Sequence, residues 1–260
     1  MQIEFDPSEL IGALTELQRV QIPGASVKAL NRAAYDSTRQ LSDEASRAFQ
    51  SPVPFTLRSF KYQKATIDSL EAKVFIRDDA PGGNAPANYL LPQIAGGPQY
   101  PTRFQGALLN TVVELSGGRS AQVLQRGKVM VPNFRSPKTR RNQYGNMSSG
   151  QFTQILTALR GNVSSADLYT GKYKTNNQKQ SQYIYLDEEE INEPYFRRRL
   201  TNSPKPGIYF VNRNISGGRY YRVMTDSRIP RFNSKFKFND IGIESFRESF
   251  IKNFKLSILK

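Results

Sequence analysis

Histidine and cysteine are both absent from this 260-residue sequence. Without cysteine the chain has no disulfides, thiol nucleophiles or zinc–thiolate sites. Without histidine it has no Ser-His-Asp or Cys-His machinery and no histidine-ligated metal. Any catalysis would have to rest on carboxylates, lysine, tyrosine or a carboxylate-bound Mg²⁺. The two absences favour a binding or assembly protein over an enzyme, and we expect no cofactor.

Long apolar runs are also absent, since no stretch approaches the roughly 18 apolar residues that a membrane span needs. The first residues, MQIEFDPSEL, contain no basic region followed by an apolar one, so no cleaved secretion signal is expected. Hydrophobic residues nevertheless make up 38% of the chain, which is enough for a folded protein with a sizeable core. We expect a folded chain without a membrane partner.

Acidic residues are scarce, with 22 against 37 basic ones, and the net charge is +15. The imbalance is local: residues 119–179 contain eleven lysines or arginines and one acid, and residues 197–260 contain fifteen and four. The positive electrostatic potential that this excess produces favours a polyanionic partner, either nucleic acid or an acidic protein surface. A basic surface without such a partner is the alternative.

The spacing of apolar residues predicts helices in the first half of the chain. FDPSEL is a helix start, with Asp6 as N-cap and Pro7 in the first turn. Apolar residues three and four apart predict a long amphipathic helix over roughly residues 25–50. Further helices are expected around 104–112 and 152–159.

Strands are predicted where apolar and polar residues alternate. In DSLEAKVFIRD the alternation places Leu70, Val74 and Ile76 on one face of a half-buried strand. KVMVP (128–132) and YIYL (183–186) are further strand candidates. GIYFVNR and GRYYRVMTDS, on either side of NISGG, predict a β-hairpin.

The C-terminal region predicts a closing helix, whose apolar face consists of Ile243, Phe246, Phe250, Phe254 and Ile258. The expected fold class is therefore α+β, with long N-terminal amphipathic helices and a small, mostly antiparallel sheet. We expect one domain in four segments: a helical segment 1–50, an α+β core 51–160, a polar loop or insertion 161–182, and a hairpin-and-helix segment 183–260.

Asp68, Glu71 and Lys73 form a D-x-x-E-x-K pattern, in which carboxylates can hold Mg²⁺ while lysine stabilises an attacking water, as in restriction-like nucleases. Any exposed strand face can alternate glutamate and lysine in this way. The upstream acids Asp36 and Asp43 fall on a predicted helix instead of a strand. The acidic run DEEE (187–190) is interpreted as solvated, because consecutive acids point to different faces and repel.

Aromatic and basic residues alternate in YFRRRL, GRYYRV and RFNSKFKF. Single-strand nucleic-acid binders use such mixtures to stack bases on rings. Because the residues alternate at strand spacing, however, the simpler interpretation is that the aromatic rings lie in the core and the basic side chains point to solvent. No nucleotide-binding loop, zinc spacing or EF-hand loop is present.

The stretch RRNQYGNMSSGQFTQIL predicts a turn followed by a helix. Tyr144-Gly145-Asn146 is a tight turn, and Ser148 or Ser149 caps the helix. The preceding arginines are candidates for a surface contact with an anion.

The stretch YGNMSSGQFTQILTAL (144–159) resembles the phage minor tail protein Z, or tail-completion, family, which has a Tyr/Gly-Asn-Met, a Gly-Gln and an Ile-Leu at this spacing. Other similar stretches occur in order from about residue 27 to residue 250: ALNRAAYDSTRQL, VPFTLRSFKYQKATIDSLEAKVFIRD, YLLPQIAGGPQYPTRFQGALL, KPGIYFVNRNISGGRYYRVM and FKFNDIGI. Two stretches depart from the family. The loop 161–182 is longer and more polar, and PNFRSPKTRRNQ replaces a small stretch containing proline and glycine.

The resemblance implies a virion structural protein without enzymatic activity, made in the host cytoplasm and located in the tail or neck. It would help join tail to head as a closed ring around the DNA channel, with six copies favoured over twelve. The implied partners are tail terminator, tail tube or head–tail connector proteins and the genomic DNA. The residues expected to contact DNA or a neighbouring ring are Arg135, Lys138, Arg140, Arg141, Arg197, Arg198 and Arg199. The alternative is a DNA-binding or Mg²⁺-dependent nuclease-like protein.

Overall fold

The computed structural model describes residues 21–81, 83–99, 101–115, 127–160, 182–201, 203–212 and 218–258, together with residues 12, 15, 16 and 19. Helices and small antiparallel sheets confirm the α+β class. In chain order the elements are α1 (Ile22–Ala48), α2 (Pro54–Leu57), β1 (Phe60–Gln63), β2 (Lys73–Ile76), α3 (Pro86–Ala95), β3 (Gly97–Pro98), α4 (Arg103–Leu115), β4 (Lys128–Pro132), α5 (Ser149–Arg160), β5 (Tyr183–Leu186), α6 (Pro194–Arg197), β6 (Gly207–Asn212), β7 (Arg219–Arg228), β8 (Arg231–Phe232) and α7 (Phe238–Ile258).

The chain divides into two compact units. The first comprises Met1–Ala80, Ala85–Gly97 and Phe232–Lys260, and the second comprises Pro81–Asn84 and Pro98–Arg231. The expected segment 183–260 is therefore shared, because its hairpin belongs to the second unit and its helix to the first. The predicted helix start at Asp6 and the predicted loop 161–182 lie outside the described residues, apart from residue 182.

Helix α1 matches the long amphipathic helix predicted from the apolar spacing. Pro23 lies in its first turn, where its missing N–H leaves no hydrogen bond broken. The buried face consists mainly of small residues: Ala25, Ala29, Ala33, Ala34, Ser37, Leu41 and Ala45. Small side chains allow the backbone of a neighbouring helix to come close.

Helix α7 packs against α1 through small and polar residues. The Ser37 hydroxyl donates to the Gly242 carbonyl at 3.2 Å, and the Ser249 hydroxyl donates to the Asp36 carboxylate at 2.6 Å. A Cβ at Gly242 would already touch the Leu41 side chain. No residue of α7 is buried. An apolar stripe usually docks a helix onto a core. Here Phe238 and Ile241 at the start of α7 pack on the core, whereas the predicted stripe is half-buried at its three phenylalanines and exposed at Ile243 and Ile258.

The core of the first unit lies between α1, α3 and the antiparallel pair β1–β2. Its buried members are Leu41, Ala45, Phe60, Leu90 and Phe236. Val74 and Ile76 of β2 pack against this cluster as predicted. Leu70 does not, since it precedes the strand and is 50% exposed, so that part of the strand prediction is wrong.

The second unit is built on a four-stranded antiparallel sheet in the order β4-β7-β6-β5. Strands β6 and β7 pair as the predicted hairpin, with Asn212 opposite Arg219. The predicted strands at 128–132 and 183–186 are the two edges of this sheet. The predicted helices around 104–112 and 152–159 are α4 and α5.

The two faces of the sheet carry separate apolar clusters. On what we term the helix face, Tyr183, Ile208 and Val223 pack against α4 and α5. On the other, the turn face, Ile184 and Tyr209 pack against the segment 187–200, with Phe196 at its centre. Helices α4 and α5 cover one face of the sheet and the segment 187–200 covers the other.

Candidate functional site

The basic loop, residues 133–142, carries four of the expected contact residues: Arg135, Lys138, Arg140 and Arg141. It connects β4 to α5 and is fastened to the neighbouring strand β7 at its first residue. The Asn133 backbone N–H donates to the Val223 carbonyl at 2.8 Å, and its side-chain amide donates to the Arg222 carbonyl at 2.9 Å. The Thr139 hydroxyl donates back to the Asn133 carbonyl at 2.8 Å and closes the first half of the loop.

Gln151, fully buried in the first turn of α5, fastens the second half of the basic loop. Its amide nitrogen donates to the Lys138 carbonyl at 2.7 Å and to the Tyr183 hydroxyl at 3.2 Å. Its amide oxygen accepts the Arg140 backbone N–H at 2.7 Å. A buried amide is stable only when its donors and acceptor are satisfied, and these three bonds satisfy both ends. The backbone on either side of residue 139 is therefore held to the helix.

The predicted turn and helix cap that follow the loop are both present. The Asn142 side-chain oxygen accepts the backbone N–H groups of Tyr144 and Asn146 at 2.9 and 3.0 Å, and Gly145 has the left-handed φ of 79°. Ser148 caps α5, because its hydroxyl accepts the Gln151 backbone N–H at 3.4 Å. Of the two serines considered, Ser148 is the cap.

The four basic side chains of the loop have different environments. The Lys138 ammonium lies 5.5 Å from the Phe210 ring centre and 5.6 Å from that of Tyr221. The Arg141 guanidinium lies 4.5 Å from the Phe134 ring centre. Such contacts fix a cation without neutralising it. Arg135 and Arg140 are exposed, and none of the ion pairs among the described residues includes them.

The second expected group, Arg197, Arg198 and Arg199, lies at the end of α6 and just after it. The Arg199 guanidinium lies 3.8 Å from the Tyr195 ring centre and donates to the Tyr195 carbonyl at 2.7 Å. Arg197 and Arg198 are exposed. The adjacent Phe196 ring is only 1% exposed, which agrees with rings inside and charges outside.

The structure does not bring the two basic groups together. Lys138 lies over Phe210, which packs on the helix face, whereas Arg197–Arg199 follow Phe196, which packs on the turn face. The second unit therefore presents positive charge on both sides of its sheet.

The nuclease-type residues Asp68, Glu71 and Lys73 are all exposed. The Lys73 ammonium lies 3.5 Å from the Glu71 carboxylate, and the two side chains form an ion pair. Within the described part of the chain, no group of three or more acidic side chains is placed to hold a metal ion.

The acidic run at 187–190 has a structural role at its first residue. Asp187 is buried, and its carboxylate accepts the backbone N–H groups of Glu189 and Glu190 at 3.0 and 2.9 Å. The Glu190 carboxylate in turn accepts the Asp187 backbone N–H at 3.0 Å, which completes a capping box. The interpretation of the whole run as solvated is wrong for Asp187, because the D-x-x-E spacing is a turn cap.

The Tyr209 hydroxyl is buried on the turn face and donates to the Lys205 carbonyl at 2.6 Å. Burial raises the pKa of Tyr209 above its ordinary value, and the nearby Arg222 opposes part of this shift. Because the pKa is higher in the folded chain than in the unfolded one, the hydroxyl stabilises the fold below the unfolded pKa. That stabilisation is lost as pH rises through the folded pKa.

We therefore expect Tyr209→Phe to lower the free energy of unfolding by about 1 kcal/mol near pH 8, through loss of the hydrogen bond. The difference from the unsubstituted chain should shrink at pH values above the ordinary tyrosine range of about 10. Urea unfolding at a series of pH values measures it. If the difference in unfolding free energy between the two chains stayed constant over the whole pH range, the assigned role of Tyr209 would be contradicted.

No helix in the described ranges combines the length and apolarity that crossing a membrane requires. No protein-family model, curated protein or solved structure matches this chain.

Proposed function

We propose that this chain is a virion structural protein, a tail-completion or neck component at the head-proximal end of a phage tail. The observation that carries the proposal is the ordered series of similar stretches from about residue 27 to residue 250, sharpest at 144–159. Gln151, which holds the basic loop to α5, lies within that sharpest stretch. The motif therefore has a definite physical task in presenting the loop.

The charge distribution supports a partner that is anionic. Arg135 and Arg140 lie on the basic loop beside the helix face, and Arg197 and Arg198 lie at the end of α6 beside the turn face. Guanidinium groups bind phosphates and carboxylates through charge-assisted hydrogen bonds, and on the fastened loop only the side chains, and not the backbone, would have to be ordered on binding. Genomic DNA in a channel and an acidic surface of a neighbouring ring both have this chemistry.

We further propose that copies of the chain form a ring in the tail or neck, with six copies favoured over twelve. The ring would adjoin tail terminator, tail tube or head–tail connector proteins. A closed ring suits a component that surrounds a DNA channel. The residue types also support a non-enzymatic role, because histidine and cysteine are absent and Lys73 is paired with Glu71.

Deleting the gene from the phage or prophage that carries it tests this function. We expect infectious particles to be lost, with DNA-filled heads and separate tails in electron micrographs, and to return on complementation with the unsubstituted gene. A Glu71→Ala gene should complement equally well. Infectivity that survives the deletion, or Mg²⁺-dependent cleavage of DNA by the unsubstituted chain that Glu71→Ala abolishes, would contradict the assembly role.

A further inference from the structure

The outward side of α7 carries six apolar residues, which we term the α7 face: Ile243, Ile251 and Ile258 are exposed, and Phe246, Phe250 and Phe254 are half-buried. At about 100° per residue they fall within an arc of about 140°. Ile243 is 67% exposed and Ile251 is 48% exposed. The rings stack along the helix, with centroids 6.4 Å apart from Phe246 to Phe250 and 5.5 Å apart from Phe250 to Phe254. The exposed Arg247 lies within the same arc, so the face is apolar with one cation near its centre. Large apolar side chains at a helix surface mark an interaction site, and arginine is common at protein–protein contacts.

A groove runs beside the first half of this face, between α7 and strand β2. Its volume is about 730 Å³, and Ala72, Val74, Gly242, Phe246 and Phe250 are among its lining residues. The groove is large enough for apolar side chains from a second helix. The second half of the face, around Phe254 and Ile258, projects past these groove-lining positions.

We propose that the α7 face binds the same face of a second copy of this chain, with the two helices antiparallel. The sequence of the helix is nearly symmetric about Phe250. Phe246 and Phe254 lie four residues to either side, and Ile243 and Ile258 lie seven and eight residues away. Antiparallel pairing about Phe250 places Phe254 and Ile258 of each copy opposite the groove of the other. Each copy thus supplies both the groove and the side chains that fill it.

The charges beside the face select the antiparallel direction. Glu244 and Lys255 are both exposed on the same flank of α7, six residues before and five residues after Phe250. In an antiparallel pair, Glu244 of each copy lies next to Lys255 of the other, which gives two opposite-charge pairs. In a parallel pair these flanks lie on opposite sides of the contact, so neither opposite-charge pair forms, and the antiparallel arrangement is favoured by the two pairs.

This contact goes beyond the proposed function and does not rest on it. An antiparallel pair has a two-fold axis and closes at two copies, whereas a ring is built from a different, head-to-tail contact. The two-fold contact therefore predicts dimers of the isolated chain, whether or not a virion is being assembled.

Sedimentation of the purified full chain from about 1 to 100 µM tests the surface. We expect a dimer of about 59 kDa, twice the 29.5 kDa of one chain. Ile243→Glu should weaken dimerisation at least tenfold, because it places a carboxylate in both halves of the contact. Leu256→Glu is the matched control: Leu256 is 52% exposed on the same helix but lies outside the face, so the dimer should persist. A chain that is monomeric throughout, or a dimer indifferent to Ile243→Glu, would overturn the proposal.

Charge reversal tests the direction of the helices. Glu244→Lys and Lys255→Glu should each weaken the dimer about tenfold, since each creates two like-charge pairs worth about 0.7 kcal/mol apiece. Mixing the two variants should restore dimers, because every flanking pair is then of opposite charge. Native mass spectrometry would show the mixed dimer as the dominant species. Mixing that restores nothing would exclude the antiparallel arrangement.

Discussion

Replacing Gln151 by leucine is expected to lower the free energy of unfolding by about 3 kcal/mol. The leucine would leave the Lys138 carbonyl and the Arg140 N–H without their partners in a partly buried setting. Each unsatisfied group costs about 1–3 kcal/mol, and apolar packing by leucine offsets only part of that sum. The same change should release the backbone that presents Arg140. Urea unfolding and amide hydrogen exchange of residues 138–142 measure the two effects.

Gln154→Leu is the matched control for this prediction. Gln154 lies on the same helix but is exposed, and a surface substitution usually changes stability by less than about 0.5 kcal/mol. Hydrogen exchange in the basic loop should be unchanged in this variant. If Gln151→Leu were as mild as Gln154→Leu, the loop would not be held by the buried amide.

Gly207→Ala is the second substitution with a large expected effect, a loss of about 3 kcal/mol from overpacking. A Cβ at Gly207 would collide with the Met224 carbonyl oxygen and come within 3.2 Å of the Arg222 side chain. The carbonyl belongs to the backbone of the central strand β7, so it cannot move without disturbing its neighbours. The close approach occurs next to the β-bulge between Ile208 and Tyr209.

The same substitution at Gly106 should have the opposite sign. Gly106 lies inside helix α4 of the same unit, and a Cβ there would meet nothing within 4 Å. Alanine favours a helix over glycine by about 0.5–1 kcal/mol, so Gly106→Ala should stabilise the chain. Thermal or urea unfolding of both variants separates the two cases. Equal effects at the two positions would contradict the packing described around Gly207.

Sequence periodicity predicted the helices α1, α4, α5 and α7 and the hairpin β6–β7, because their patterns are local. The Tyr144-Gly145-Asn146 turn and the Ser148 cap could also be predicted, since each depends on residue types a few positions apart. Strand β1 was missed: its sequence FKYQ is short, and it exists through antiparallel pairing with β2. Pairing of that kind is a tertiary property.

The packing of α7 could not be predicted from its apolar stripe. The contact with α1 uses Gly242 and Ser249 because the opposing face of α1 is lined with alanines and serine, which allow close approach. The anchoring of the basic loop was also missed. The only local signal was the S-x-x-Q spacing from Ser148 to Gln151, which normally indicates a capping box. Here the glutamine side chain reaches across to the loop instead of back to the cap.

If the proposed function is correct, the gene belongs to a phage, and cryo-electron microscopy of the purified virions tests this function most directly. The expected result is a closed ring of this chain at the head-proximal end of the tail, with the basic loop or the Arg197–Arg199 segment against DNA or an acidic neighbour. Purified, infectious particles that contain no copy of the chain would contradict the proposal.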